Sequence, residues 1–185
     1  MRLIIAIIFS MLTLSVHAQD KTDYTEYTRV MDIKGTDYVI ATSSHRGKGF
    51  SSLGKSLLFI NTRTGEQRQV DFPNESYHDV IQQIIIDKLN INVIVVWANT
   101  VELVGKGGSF WTDPRHLVVF STDGKQRTQI TEDKFFVQSW AVNNETGRIV
   151  ITGHYDSNDN GKYDKTDQNQ IIIYDLTTMK VVSKS

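Results

Sequence analysis

The chain has 185 residues, with 20 basic against 21 acidic side chains, no cysteine and two prolines. Such a near-neutral, mixed-sign balance carries no electrostatic footprint for nucleic acid or for an anionic membrane, so neither is an expected partner. Without cysteine, disulfide stapling and a cysteine-borne lipid anchor behind an export signal are both excluded.

The first element is an export signal. Met1-Arg2 supplies a positive start, Leu3 to Val16 is apolar except for Ser10, Thr13 and Ser15, and Val16-His17-Ala18 leads into polar Gln19-Asp20. A basic start, an apolar core and an A-x-A-like exit are the parts of a secretory signal. A membrane-spanning helix needs about 20 apolar residues, and this run is shorter. Cleavage after Ala18 is therefore expected to leave 167 residues with a net charge of −2 instead of −1. The reading is of an exported chain, periplasmic or secreted, with one domain at 19–185 and no membrane anchor in its mature part.

From residue 24 onward the apolar runs are short and rich in Val, Ile, Tyr, Phe and Thr, which predicts strands, and no stretch has sustained helical periodicity. Shifting Ile81–Asp87 and Val93–Val95 by 56 residues without a gap lands on Val137–Asn143 and Ile149–Ile151. A second element occurs three times, as Leu57–Thr62, Leu117–Thr122 and Gln170–Asp175, each leading through a polar turn to a further strand. Three units follow, at about 24–72, 77–131 and 134–185, each reading strand, turn, strand, long loop, strand, turn, strand. The expected fold is all-β, three four-stranded antiparallel propeller-type blades, with a β-sandwich or small barrel as the alternative.

Each unit carries its long insertion between the second and third strands. In unit one, Gly49-Phe50-Ser51-Ser52-Leu53-Gly54-Lys55-Ser56 matches the phosphate-loop pattern letter for letter. That loop must open a helix whose amides hold the phosphates, and here a strand follows, so nucleotide binding is rejected. In unit two, Phe110 and Trp111 stand in a glycine-rich loop, as a stacking platform for a sugar or peptide or as an anchor tucked beneath the loop.

Unit three carries the strongest chemical signal. In the twelve residues Asp156 to Asp167, Asp156, Asn158, Asn160, the Lys162 carbonyl, Asp164 and Asp167 fall at the ligand positions of a calcium loop, with Gly161 at the sharp turn. Calcium needs six to eight hard oxygen donors, and alternate residues of a tight loop can supply them. Asp167 stands where the longer Glu is usual, which weakens bidentate ligation, and the two asparagines lower the charge. Both features point to a weak, structural ion. The other reading is a polar, Asx-rich hairpin tip.

The blade pattern resembles WD40-like and TolB-like β-propellers of exported bacterial proteins, and the loop resembles those of EF-hands and dockerins. No Gly-His and Trp-Asp pair repeats per unit. Closed propellers typically have four to eight blades, so three units imply a homodimer completing a six-bladed propeller, or other proteins that complete the ring. The resemblance implies a calcium-stabilised, non-enzymatic protein that binds a protein or glycan ligand through its loops. The alternatives are a hydrolase or lyase acting on a glycan, with loop carboxylates and His45 or His116, and a structural subunit of an envelope assembly. No nucleophile elbow or histidine pair at metal spacing is present.

Overall fold

The computed structural model describes residues 24–46, 52–72, 78–101 and 114–185. Twelve strands form three separate four-stranded antiparallel sheets, each a simple up-and-down meander. Blade one contains β1 (Tyr24–Asp32), β2 (Tyr38–Arg46), β3 (Ser52–Asn61) and β4 (Gln67–Asp71). Blade two contains β5 (His78–Ile86), β6 (Ile91–Asn99), β7 (Arg115–Ser121) and β8 (Arg127–Gln129). Blade three contains β9 (Phe135–Asn143), β10 (Arg148–Tyr155), β11 (Gln168–Asp175) and β12 (Lys180–Lys184). The blades fall within the expected units, and three separate sheets replace the sandwich and barrel alternatives.

Side-chain alternation explains the stacking. In β6, Ile94, Val96 and Ala98 join Ile40, Leu57 and Phe59 of blade one, while Val95 on the opposite face joins Ile149, Ile151 and Ile172 of blade three. Blade two is thus apolar on both faces, and β6 and β7 read as near-continuous Val/Ile/Leu runs because neither face meets water. The first junction centres on the tilted rings of Phe59 and Phe120, 5.8 Å apart. Gly124 of the β7–β8 turn closes it: its φ is +70°, and a Cβ there would lie 2.5 Å from the Phe59 ring. At the rim, the Gln83 amide bridges to Lys34 of blade one, accepting from its N–H and donating to its C=O, both at 2.9 Å.

The 56-residue internal shift is corrected to 57. Ile86 pairs Ile91 across one hairpin and Asn143 pairs Arg148 across the other, each enclosing a four-residue turn. The third copy of the second repeated element is also corrected by one residue. Asn61, Ser121 and Asp175 occupy the same place, since Asn61 and Ser121 donate their N–H to Glu66 and Gln126 while Asp175 pairs Lys180. A one-residue slip exchanges the two faces of a strand, so the corrected register decides which side chains of blade three face blade two.

Candidate functional site

In each blade the second strand ends and the third begins at the same end, where the first strand starts and the fourth finishes. Residues 47–51 and 102–113 lie outside the described set, and with them Phe110, Trp111 and the first part of the phosphate-loop match. The remainder of that match, Ser52 to Ser56, is β3 strand rather than the start of a helix. The expected export signal at 1–18 is likewise outside the described residues.

The blade-three loop is described throughout. It begins where β10 ends, and Asp156 is its root, only 2% exposed, with its backbone N–H bonded to the Lys134 carbonyl at 3.0 Å. The Asp156 carboxylate accepts the N–H groups of Asn160 (3.1 Å) and Gly161 (2.8 Å), which folds the chain back on itself. Gly161 has φ +69°, a conformation that side chains with a Cβ rarely adopt. The turns then nest: Asn158 Oδ1 accepts from Asn160 N–H at 3.1 Å, and Asn160 Oδ1 accepts from Lys162 N–H at 2.8 Å.

Asp164 and Asp167 close the loop. Asp167 accepts the N–H of Asp164 at 2.9 Å and that of Ser157 at 3.3 Å, tying the last position to the second. Asp164 Oδ1 accepts from both the hydroxyl and the N–H of Thr166, while Oδ2 accepts from the side-chain amides of Asn160 (2.6 Å) and Asn158 (3.2 Å). Those donors, the Thr166 hydroxyl first, hold the Asp164 carboxyl well below the usual carboxylate range.

Hydrogen bonding therefore gathers all six expected residues around one turn, Lys162 through its backbone N–H with its side chain exposed. The donors are all oxygen, which suits a hard cation. The carboxylates are engaged by N–H groups, and among the described residues no three His, Cys, Asp or Glu side chains are arranged to hold a metal ion. The chemistry of the set fits calcium, and the two asparagine amides stand where a cation would compete for Asp164.

Two features of the loop were not legible from spacing. Lys134, on the link between blades two and three, pairs with Asp159 at 2.7 Å, and that carboxylate raises the lysine pKa. His154 stacks on Tyr163 with ring centroids 4.3 Å apart, and its buried Nε2 has no partner among the described residues.

A second polar cluster lies at the same end of blade two. His116 is fully buried, which removes it from reach of a substrate. Its Nε2 lies 3.0 Å from the Asp133 carbonyl and its Nδ1 2.6 Å from the Thr100 hydroxyl. That hydroxyl is also 2.7 Å from Gln129 Oε1, while Gln129 Nε2 donates to the Thr131 carbonyl and to Asp133 Oδ1. With a neutral imidazole, Nε2–H serves Asp133 and the one hydrogen of Thr100 must choose between Nδ1 and Gln129. An imidazolium satisfies every contact, yet burial opposes the charge and lowers the His116 pKa.

No family model matches the chain, and no curated protein does. Solved structures with a related arrangement include a cobalt-substituted apocarotenoid oxygenase (ACO) from Synechocystis, at 16% identity and TM-score 0.39, covering 88% of this chain and 38% of that one. Another is an ACO/RPE65 chimera in a monoclinic crystal form, at 19% identity and TM-score 0.38, covering 82% and 35%. The chain spans less than two fifths of the length of these proteins, and overlap at this level carries no argument about activity or metal.

Proposed function

We propose that the chain is an exported, non-enzymatic protein of the WD40-like or TolB-like propeller type, stabilised by calcium in its blade-three loop, and that its loop end binds a protein or glycan ligand. The supporting observation is the root of the loop. A buried carboxylate, Asp156, organises two N–H groups ahead of a left-handed glycine, with amide and carboxylate oxygens following at alternate positions. Calcium would take the oxygens of Asp156, Asn158, Asn160, Asp164 and Asp167 with the Lys162 carbonyl, and would supply positive charge now approximated by amide hydrogens. Such an ion orders a loop and performs no chemistry. Export accords with weak binding, since extracellular sites of this type work at roughly 10⁻⁴–10⁻³ M.

The test is a thermal melt with excess calcium and with excess chelator, repeated with magnesium. Calcium at 100 times its dissociation constant should stabilise the fold by about 2.7 kcal/mol. Asp156→Ala should lose that shift. A melting temperature indifferent to calcium would sink the ion and leave residues 156–167 a polar hairpin tip.

A further inference from the structure

The two internal junctions define what a blade junction in this protein needs. With Asn61, Ser121 and Asp175 aligned, Leu57 and Phe59 of blade one correspond to Leu117 and Val119 of blade two, and to Ile171 and Ile173 of blade three. In the first two blades these positions are buried against the following blade. In blade three the same positions are still isoleucine, yet Ile171 is 47% exposed and Ile173 half-buried. Val150 pairs Ile173 and presents its side chain on the same face. The opposite relation holds at the other end. Phe120 and Tyr174, buried against the preceding blade, correspond to Ile60 of blade one, whose outer face also carries Val39, the 66%-exposed Val30 and, buried at its centre, Ala41 and Leu58.

The outer faces of blades one and three are thus the two halves of a third junction. We infer that they meet in a second copy of this chain, blade three of each protomer packing on blade one of the other. A two-fold axis makes both junctions at once and closes a ring of six blades, within the usual four to eight. Charge agrees with this pairing. Among described side chains the outer face of blade one carries Asp32 and Asp71 and neither Lys nor Arg, whereas that of blade three carries Arg148 and Lys180 against Asp175. Asp32 lies at the hairpin-turn end of its blade, the same end as Arg148 and Lys180. An isologous contact, blade three on blade three, would set like charges together instead. The inference depends on neither calcium nor export.

Light scattering on a sizing column tests it, using the purified chain as the expressing cell processes it, at tens of micromolar. The expected mass is twice the chain mass. Ile171→Asp and Val30→Asp, on opposite outer faces, should each weaken dimerisation at least about tenfold. Because both side chains are exposed, circular dichroism and melting at low concentration should be unchanged. Mixing the two variants should restore part of the dimer, since one junction then pairs two intact faces. A wild-type monomer would overturn the inference. So would a dimer insensitive to Val30→Asp, which would mean that blade three meets itself.

Discussion

Two polar clusters stand side by side at the loop end, on neighbouring blades, and they are built on opposite principles. The His116 cluster is buried and mostly neutral, and it is one hydrogen short. The Asp156 cluster is mostly exposed and acidic, and its carboxylates are saturated with N–H donors. The first is short of a proton and the second is rich in oxygen acceptors. They share a support, the link between blades two and three: the Asp133 carbonyl holds His116, and the next carbonyl, Lys134, holds the root of the blade-three loop. The difference teaches that a polar cluster at this end of a blade can be a buried brace drawn from neighbouring strands or a loop that folds on its own backbone, according to whether its polar side chains bond across strands or back to the turn they sit in.

The largest effect expected is from Asp156→Ala without calcium. Two buried charge-assisted bonds are lost and their N–H donors left without an acceptor, which should cost about 2–4 kcal/mol, read from urea denaturation. A loss under half of that would mean that the loop root contributes little without its ion.

His116→Leu should rank next, at about 1–3 kcal/mol near neutral pH, because the Thr100 hydroxyl and the Asp133 carbonyl lose a buried partner. Its pH dependence sharpens the contrast. Burial lowers the histidine pKa in the folded state, so between that value and about 6.5 the unfolded chain binds more protons. The stability associated with neutral His116 is complete above about pH 6.5 and declines as pH falls toward the folded value. The margin of wild type over His116→Leu in urea midpoint should therefore narrow from pH 7.5 to pH 5. A margin that widened would mean that the unmet hydrogen, not burial, controls the site. The Asp133 carboxylate acts on the ring through its charge, while Glu132 acts through its backbone and its side chain pairs with Lys184 of blade three.

The smallest effect should come from Lys134→Met. Its ion pair with Asp159 is solvent-exposed, and exposed pairs contribute little. The melting temperature without calcium should hardly move, while calcium affinity should rise because a cation beside the loop is gone. Isothermal titration would detect the change, and weaker binding in the variant would show that the lysine positions the loop.

The fold was largely legible in the sequence. Short β-rich runs with turn residues at regular spacing located ten of the twelve strands and the bounds of the unit that holds the other two, and β1, β5 and β9 begin at or within a residue of the expected units. The register was not legible where it mattered. Val93-Ile94-Val95-Val96 is apolar on both faces because blade two is covered on both, and in Ile84-Ile85-Ile86 the exposed Ile85 is as apolar as its buried neighbours, so neither run has the alternation that shows which residue points which way. The gathering of the loop's six polar positions around one turn was legible because they lie within twelve residues of each other. Lys134, 22 residues before the loop's first position, was not, and neither was the His116 cluster, whose members come from four separate segments brought together only by the fold.

One feature of the far end has a practical use. The hairpin turns, among them Asn61–Gly65, Asp87–Asn90 and Asn143–Gly147, all lie opposite the loops, and asparagine side chains fold the first and last of these by accepting backbone N–H groups. The chain has no cysteine of its own. A single Thr64→Cys would therefore give one thiol, on a tight turn far from every insertion, and tethering the protein through it would present the whole loop end to solution in one orientation. Surface capture in that geometry, compared with random lysine coupling, would reveal on which end a ligand lands before the ligand is identified.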